Sequence, residues 1–435
     1  MKINNSIMRL IASKCIYDIM FIYVLSTLYP YEVYQVNIVP YKIVISWIFC
    51  VVLYMMVPIK SDSVKSVFYH TQFVITILPI STVYAYSFVS NDTYMIIIFF
   101  TIIIEAIILR IKIYDTVQIN NKLPRFGKKV VFYSLLIGII GVVILLIRYI
   151  GIHGLELFSP ENVYDVRDDN IGRLPSWLDY LAKYAYYLII PILLIKQIEK
   201  KKWILAIILV GLDIAIYLCM AHKTIYLMLI VVFATYIGIK TGKLIELEYL
   251  GINALMIIAG VMLKGLQFLE PISTKISLLI TSFVGDRFIF GPAVNKFAYY
   301  AVFKDEPFLL FSDGRIGRLF GLTYPYGSLA PGNLAYQYCF ESGMSNSITG
   351  YLGDAYMQLG VIGMFLTAVI LALLIRFFEK SSERRVPLYI VIVVVNCYTV
   401  CMNDCPLHTM ILSTGLGLFI LYCFWGERSL KKYKL

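Results

Sequence analysis

The sequence predicts an all-α integral membrane protein that crosses the bilayer about twelve times. Hydrophobic residues make up 60% of the 435 positions, charged residues only 15%, and the mean hydropathy is +0.79. The apolar residues fall in continuous runs of about 20, the length that a helix needs to cross the hydrocarbon core. In hydrocarbon the backbone must satisfy its own hydrogen bonds, so runs of this length indicate helices rather than the short alternating strands of a membrane barrel.

Apolar segments account for most of the chain and predict one polytopic domain over residues 1–435. The predicted spans are, in order, 15–31, 38–58, 67–89, 94–110, 130–150, 177–195, 203–220, 224–239, 249–268, 349–375, 386–402 and 409–425. No small-residue cleavage site follows the first apolar run, so we expect the first span to be retained. Two connections are longer than the others, at 152–176 and at 270–347.

Clusters of lysine and arginine set the predicted orientation. Basic residues crowd the connections at 110–129, 196–202 and 376–385 and the tail at 428–434. With twelve crossings, all four clusters fall on the same side of the membrane as the basic residues of the amino terminus. Because cytoplasmic connections carry the excess of lysine and arginine, both termini are predicted to be cytoplasmic.

The net charge of +11 does not indicate a nucleic-acid-binding protein. The lysines lie in short connections between spans, without interleaved aromatic residues, and they form no basic soluble domain. We assign them to orientation and to attraction for anionic headgroups. Membrane lipids are therefore an expected partner of this chain, and nucleic acid is not.

The connection at 270–347 is the most informative asymmetry of the chain, because it falls on the face away from the basic clusters. Its apolar stretch 276–284 is too short to cross, and it predicts an amphipathic or re-entrant helix at the outer leaflet. Transport proteins tend to keep such connections short. A long outer connection with arginines and carboxylates favours an enzyme that acts on a lipid-anchored molecule.

The smaller outer connection, 152–176, offers Arg167 and Arg173 among Asp165, Asp168 and Asp169. A guanidinium group is always charged and binds phosphate oxygens with two parallel hydrogen bonds, so it suits a pyrophosphate at a membrane surface. The simpler interpretation is a solvated loop in which these charges pair with one another.

The long connection carries a second set of candidate residues. They are the carboxylates Asp286 and Glu341, the arginines Arg287, Arg315 and Arg318, and the tyrosines Tyr324 and Tyr326. Neighbouring glycines would let the backbone approach a ligand closely, and tyrosines with proline could line a groove for a sugar. The alternative is that the glycines only turn the chain.

The end of the long connection runs directly into a span. Residues 346–363 read Asn-Ser-Ile-Thr-Gly-Tyr-Leu-Gly-Asp-Ala-Tyr-Met-Gln-Leu-Gly-Val-Ile-Gly. Asp354 is predicted about one turn inside the membrane, where a carboxylate is costly unless it has a purpose. Gly360 and Gly363 permit close helix packing, so part of the pattern is structural.

These features together resemble a known family. The long late outer loop, the smaller outer loop with arginines, and the Asn-x-x-Thr-Gly…Gly-Asp-x-Tyr…Gly-x-x-Gly motif of residues 346–363 are similar to Wzy-type polymerases of O-antigen and capsular polysaccharide. Richness in Ile and Tyr at this length is also typical of that group. The resemblance covers the topology of most of the chain, but its motif covers only about 20 residues.

The resemblance implies a multi-pass glycosyltransferase of the bacterial inner membrane, with the all-helical GT-C-like architecture of enzymes that use lipid-linked sugars. Such an enzyme moves a growing glycan from undecaprenyl pyrophosphate to the non-reducing end of the next lipid-linked repeat unit. The implied partners are the undecaprenyl-pyrophosphate-linked oligosaccharide and a polysaccharide chain-length regulator.

The residues permit that chemistry. The five arginines of the two outer connections would neutralise the departing pyrophosphate. Asp286, Glu341 or Asp354 would accept the proton of the acceptor hydroxyl. We expect no metal and no cofactor, because the chain has neither an Asp-x-Asp motif nor the soluble domain of a nucleotide-sugar transferase.

Two other functions stay open. The related O-antigen ligases are associated with a histidine in the long outer loop, and residues 270–346 contain none, which favours a polymerase. A flippase for lipid-linked oligosaccharides would also have about a dozen spans, but with short connections on both faces. Charged residues inside the spans, Asp18, Glu105, Asp213 and Lys264, fit either structural pairing or an ion pathway in a transporter.

Overall fold

A computed structural model gives the fold of this chain. It describes residues 2–28, 32–57, 63–111, 128–154, 166, 169–170, 172–222, 224–266, 289–340, 347, 350–384 and 386–425. At residues 2–5, 128, 263–266, 315–316 and 384 it describes the backbone alone. The described part is helical apart from its connections and one isolated β-bridge between Val36 and Ser87.

The helices are named here in chain order. They are α1 Lys2–Ile19, α2 Pro40–Met55, α3 Val64–Tyr86, α4 Asp92–Arg110, α5 Lys128–Ile150, α6 Ser176–Glu199, α7 Trp203–Met220, α8 Thr224–Thr241, α9 Leu244–Leu266, α10 Phe290–Phe303, α11 Arg315–Leu319, α12 Pro331–Phe340, α13 Gly350–Arg384, α14 Leu388–Cys401, α15 Leu407–Ser413 and α16 Leu416–Trp425. Helix α1 continues through a π-helical turn, Met20–Leu25, into Ser26–Leu28.

Each predicted span overlaps one or two of these helices, which confirms the all-α class for the described residues. Among the described residues, eight helices are long and apolar enough to cross a membrane, and the bent pair α15 and α16 makes a ninth if it counts as one span. Helices α2 and α14 are apolar but shorter. The chain is therefore a multi-pass membrane protein, while the number of twelve spans and the GT-C-like architecture stay predictions.

Contacts between the ends of the helices define two ends of the bundle. At the first, which we call the basic end, Arg110 donates to the carbonyl oxygens of Met55 and Val57, at 2.7 and 3.2 Å, and Lys65 lies 3.8 Å from Glu379. Residues of the basic connections that follow α4 and α13 thus lie at the same end, as the sequence predicts. Which side of a membrane this end faces remains a prediction.

At the opposite end, which we call the Asp354 end, other connections meet. The amide of Gly350 donates to the carbonyl of Asp404 at 3.2 Å, and the amide of Asn37 donates to the carbonyl of Tyr86 at 2.7 Å. The long connection folds against this end, since its residue Lys296 donates to the side-chain oxygen of Asn403, in the turn after α14, at 2.9 Å.

Helix α3 is the centre of the bundle, and every residue of its most apolar stretch is buried. Its polar side chains bond to neighbouring helices inside the protein: Thr71 donates to Asn396 at 2.6 Å, and the side-chain nitrogen of Gln72 donates to Glu105 at 3.1 Å and to Tyr351 at 2.6 Å. These bonds join α3 to α4, α13 and α14. Buried polar groups need such partners, so the contacts also fix the rotation of each helix.

Prolines explain two irregular turns inside the spans. Pro79 in α3 follows the π-helical turn Phe73–Ile77, and Pro191 in α6 follows the π-helical turn Ala185–Ile189. A proline has no N–H to donate, and its ring collides with the carbonyl four residues earlier. Widening the preceding turn removes that collision without ending the helix.

Charges inside the spans have partners where both side chains are described. Asp18 accepts hydrogen bonds from Lys14, one turn earlier, and from Thr82 of α3 at 2.9 Å. Both members of the Lys14–Asp18 pair are buried, and the bond from Gln72 reaches Glu105 in the same way. The side chain of Lys264 lies outside the described residues, so structural pairing of Lys264, with Asp213 as the candidate partner, is untested.

Helix α10 lies inside the bundle, although the sequence suggests only a long outer connection there. Nearly all of its side chains are buried. The ring of Phe290, at its start, lies 5.9 Å from the ring of Tyr17 and 5.6 Å from that of Phe21, centroid to centroid. The long connection therefore inserts a helix of about 21 Å into the Asp354 end. The predicted interfacial helix at 276–284 lies outside the described residues.

Helix α13 is broken at Gly360, which has φ 63° and ψ −147°. A Cβ at this position would come within 2.4 Å of the ring of Phe308. Only glycine adopts this backbone conformation readily and leaves that space empty. The part of α13 beyond the break, from Val361 on, is by itself long enough to cross the bilayer, so residues Gly350–Leu359 form an additional buried piece at the Asp354 end.

A second bend separates α15 from α16, whose axes differ by 67°. Gly415 lies between them with φ 96°, and its position borders Leu188 of α6 and the hydroxyl of Tyr398 in α14. The Asp354 end thus brings together a broken helix, a bent helix pair and the inserted helix α10.

Candidate functional site

The break in α13 creates the site by releasing two backbone carbonyls. In an unbroken helix the carbonyls of Met357 and Gln358 would accept from the amides four residues later. Here they accept instead from the amides of Leu309 and Leu310, each at 3.1 Å. The long connection is therefore attached to α13 by main-chain hydrogen bonds at the level of the break.

This attachment forces an unusual backbone. Leu310 and Phe311 have φ values of 51° and 64°, although neither is a glycine. Two consecutive left-handed residues cost about 1–2 kcal/mol each, and such strain persists only where surrounding contacts compensate it. The hydrogen bond from the Phe311 amide to Gln358 Oε1, at 2.6 Å, is one such contact.

The central feature of the site is a carboxylate–imidazole pair. Nδ1 of His408, in the first turn of α15, lies 3.3 Å from Oδ2 of Asp354, in the second turn of α13. The Asp354 side chain is 8% exposed and the His408 side chain 31% exposed. The carboxylate is thus covered, while part of the imidazole is accessible from outside.

Gln358 joins this pair to the long connection. Its amide nitrogen donates to Oδ1 of Asp354 at 3.3 Å and to Oδ1 of Asp313 at 3.0 Å. The edge of the Phe311 ring meets the His408 ring at a centroid distance of 5.4 Å and an angle of 86°. Asp354 and His408 are therefore held from several directions, as a site that must keep its geometry requires.

A buried lysine holds the turn that precedes His408. Lys296 of α10 donates to the side-chain oxygen of Asn403 at 2.9 Å, to its carbonyl at 3.1 Å, and to the carbonyl of Pro292 at 3.1 Å. Burial lowers the pKa of the Lys296 ammonium group, and the neighbouring Asp404 carboxylate acts in the opposite direction. Lys296 therefore ties the inserted helix to the turn between α14 and α15.

The same turn shapes the start of α13. The amides of Gly350 and Tyr351 donate to the carbonyls of Asp404 and Met402, at 3.2 and 3.1 Å. Gly350 has φ 60°, and a Cβ there would come within 2.3 Å of the Asn403 carbonyl oxygen. Gly350, the glycine of the Thr-Gly motif, is therefore needed where the start of α13 contacts the turn at Asn403, four residues before Asp354.

Tyr324 and Tyr326 lie beside the acidic side of the site. Tyr324 donates to the carbonyl of Leu329 at 2.6 Å, and Tyr326 donates to Glu306 at 3.3 Å. Burial raises the pKa of Tyr324 to about 12, and the negative charge of Asp313 adds to the shift. Burial likewise raises the pKa of Tyr326, together with the charge of Glu306. Both phenols therefore stay neutral, and because each donates its proton within the protein, its oxygen can still accept a hydrogen bond.

Only two of the five predicted arginines have described side chains. Arg173 is exposed in the turn before α6, and Arg318 is exposed in α11, five residues after Asp313. The side chain of Arg315 and all of Arg167, Arg287, Asp286 and Glu341 lie outside the described residues. The predicted convergence of arginines from both outer connections is therefore untested.

Of the three carboxylates predicted to accept a proton, Asp354 lies in the described part, and it contacts an imidazole. The sequence interpretation missed His408, Asp313 and Gln358. His408 lies between the predicted spans 386–402 and 409–425, and Asp354 lies at the start of the predicted span 349–375. With twelve crossings both positions fall on the outer side, and that shared placement was the signal that could have joined them.

The arrangement can move a proton. If Nδ1–H donates to the Asp354 carboxylate, the lone pair of Nε2 lies on the opposite edge of the ring and can accept a proton. The carboxylate then stabilises the imidazolium that forms.

Groups of three or more metal-ligating side chains are not found among the described residues. Comparisons with protein families, with curated proteins and with solved structures give no match.

Proposed function

We propose that this protein is a membrane glycosyltransferase that polymerises lipid-linked oligosaccharide repeat units. It would build O-antigen or capsular polysaccharide at the outer face of a bacterial inner membrane. The observation that carries the proposal is the pair of Asp354 and His408, 3.3 Å apart, at the end of the bundle away from the basic connections. The resemblance of residues 346–363 to polysaccharide polymerases supports the same assignment.

In the proposed reaction His408 is the general base. A hydroxyl at the non-reducing end of the incoming repeat unit attacks the anomeric carbon of the growing glycan, and its proton passes to Nε2 of His408. The new glycosidic C–O bond forms as the bond from the anomeric carbon to the pyrophosphate oxygen breaks. The bonding electrons leave with undecaprenyl pyrophosphate. Asp354 stabilises the charged imidazole, as a buried carboxylate partner does in other enzymes.

The remaining groups would bind the substrates. Arginines at 167, 173, 287, 315 and 318 would stabilise the negative charge on the departing pyrophosphate. Tyr324 and Tyr326 present aromatic faces and neutral hydroxyl groups beside Asp313, which suits a sugar. Asp313 and Asp354 would accept hydrogen bonds from sugar hydroxyls or hold the histidine in place.

The position of His408 changes one argument about the acceptor. The long connection contains no histidine between residues 270 and 346, which favoured a polymerase over a ligase. However, His408, which follows α14, contacts Phe311 of the long connection, so an imidazole does lie against that connection. The missing histidine therefore no longer separates the two enzymes, and the preference for a polymerase rests on the motif.

A deletion strain tests the proposal. Loss of a polymerase leaves lipid A-core molecules that carry a single repeat unit, whereas loss of a ligase leaves cores with no unit attached. The purified chain in vesicles with undecaprenyl-pyrophosphate-linked repeat units should extend glycans. Cores without any unit in the deletion strain, together with no extension in vesicles, would refute the polymerase assignment.

A flippase for lipid-linked oligosaccharides is the second candidate. The broken helix α13 and the bent pair α15 and α16 favour it, because discontinuous helices form substrate sites in many transporters. The two functions differ in vesicles that contain labelled lipid-linked units. A flippase moves the unit between leaflets and leaves its size unchanged, whereas a polymerase lengthens it.

A further inference from the structure

The most exposed large apolar side chains of the described residues do not lie on a span. They are Leu319 and Phe320, which are 84% and 79% exposed, at the end of α11 and the turn that follows it. Phe308, Leu310 and Leu322 of the same connection are also exposed. We call residues 308–322 the apolar arm.

The apolar arm has a defined shape. The amide of Gly317 donates to the carbonyl of Phe311, and the amides of Phe320 and Leu322 both donate to the carbonyl of Gly317, each at 3.0 Å. A Cβ on Gly317 would come within 2.3 Å of the Phe311 carbonyl oxygen, so the backbone at Gly317 is in close contact with the backbone at Phe311. Leu319 and Phe320 therefore project from a folded turn rather than from an extended chain.

The arm continues the lipid-facing surface of a span. Phe308, at its root, fills the space beside Gly360, where α13 breaks. Immediately past the break Ile362 is 69% exposed, and Val361 and Leu366 are exposed as well, on a helix apolar enough to cross the membrane. An exposed apolar surface on such a helix faces hydrocarbon. Phe308, where the arm begins, is thus beside the acyl chains.

A cation accompanies the apolar tip. Arg318 is exposed and directly precedes Leu319 and Phe320. Apolar side chains next to an arginine are typical of segments that lie in the membrane interface, with the apolar groups among acyl chains and the guanidinium at headgroup phosphates.

We propose that the apolar arm docks on the lipid leaflet at the Asp354 end, with Leu319 and Phe320 inserted among the acyl chains and Arg318 on an anionic headgroup. The continuity with the lipid-facing side of α13 selects lipid over a second copy of this chain. Asp313 lies in the same arm, so the docked arm also holds the site at the level of the headgroups. The inference does not depend on the function proposed above.

Photocrosslinking tests the inference. The full chain with p-benzoylphenylalanine in place of Phe320 is reconstituted into vesicles of phosphatidylcholine and radiolabelled phosphatidylglycerol, and ultraviolet light then attaches neighbouring molecules. We expect labelled lipid on the chain at a yield comparable to that for the same probe at Ile362. The probe at Ser328, an exposed polar position of the same connection, should capture little. Arg318→Ala should lower capture of phosphatidylglycerol at position 320 about fivefold.

Two outcomes would overturn the inference: no lipid on the probe at position 320 while the probe at Ile362 captures lipid, or a crosslinked dimer of the chain. A Phe320→Trp variant gives a second readout. Its additional fluorescence over the wild-type chain should be quenched by phospholipids with brominated acyl chains. Additional fluorescence that these lipids leave unchanged would also refute lipid contact.

Discussion

At the scale of single residues, the pairing of Asp354 with His408 decides which group can act as a base. A carboxylate alone near the membrane surface could accept a proton, but here it lies beneath an imidazole that is more accessible. Because His408 has the exposed position, in the proposed reaction it would meet a substrate hydroxyl first. Asp354 would then act through His408 as a positioning residue and counter-charge.

We expect His408→Ala to slow glycan extension about 10²- to 10⁴-fold, the usual contribution of a general base. Asp354→Asn should also slow extension, because the amide cannot stabilise an imidazolium by charge. The measurement is the rate of extension by purified variants in vesicles that contain the lipid-linked unit.

His153→Ala is the matched control, since His153 also lies at the Asp354 end and contacts the carbonyl of Ile150 at 3.0 Å. Its extension rate should stay near that of the wild-type chain. Equal rates for His408→Ala and the wild-type chain would remove His408 from the reaction.

The arginines of the outer connections make a second prediction at this scale. Single alanine substitutions of Arg167, Arg173, Arg287, Arg315 and Arg318 should abolish chain extension for at least two of the five, because a departing pyrophosphate requires positive charge. Each variant is assayed for polymer length in cells and for insertion into the membrane. Full-length polymer from all five variants would contradict the assignment.

At the scale of elements, the break in α13 is the feature on which the site depends. It supplies the free carbonyls for Leu309 and Leu310, and it thereby brings Phe311 and Asp313 to the carboxylate–imidazole pair. A continuous helix would use those carbonyls itself. Gly360 is therefore a site residue through its backbone alone.

Gly360→Ala should lower the free energy of unfolding by about 1–3 kcal/mol and should also stop chain extension. The reason is that alanine does not adopt the backbone angles of Gly360 without strain, and its methyl group would overlap the ring of Phe308. Thermal unfolding in detergent measures the change.

Gly141→Ala in α5 is the control, because the space around Gly141 is open and alanine favours a helix. It should leave the melting temperature unchanged or raise it. A Gly360→Ala protein as stable and active as Gly141→Ala would show that the break is dispensable.

A further prediction concerns Lys296, which attaches the inserted helix α10 to the turn before His408. Lys296→Met should lower the free energy of unfolding by about 3 kcal/mol, because it removes the three hydrogen bonds that the buried Lys296 side chain donates to Asn403 and to the carbonyl of Pro292. Extension should fall with it, since the turn before His408 loses its attachment. Lys240→Met, at an exposed pair with Glu199, should change stability little, and equal losses for the two variants would refute a special role for Lys296.

At the scale of the whole molecule, orientation determines whether the site can meet its substrate. The described residues that border the basic connections after α4 and α13 lie at the end opposite Asp354, so the positive-inside rule predicts a site outside the cytoplasm. The lipid-linked repeat units of the proposed reaction would be presented on that side. The direction of the bundle is thus a functional prediction as well as a structural one.

Ser328→Cys tests this orientation, because Ser328 is exposed in the long connection. A membrane-impermeant thiol reagent added to intact spheroplasts should label it more than it labels the wild-type chain. Lys201→Cys, in the connection between α6 and α7, should react only after the membrane is opened. Protection of Ser328→Cys in intact spheroplasts would reverse the predicted topology.

The helical, multi-pass character of this protein and the positions of its apolar segments could be predicted from the amino-acid sequence alone. Each of those features depends on runs of neighbouring residues, and a run of apolar residues in hydrocarbon has no alternative to a helix. The sequence also indicated Asp354, because a carboxylate inside an apolar segment is conspicuous without any knowledge of the fold.

The surroundings of Asp354 depend on how the helices pack. His408 lies 54 residues later in the chain, and Asp313 lies on a connection that is bent back by two left-handed residues. The insertion of α10 and the break at Gly360 depend on contacts with Tyr17, Phe308 and Asn403, which are distant in sequence. Local patterns do not encode such contacts, because packing and buried hydrogen bonds choose them when the helices assemble.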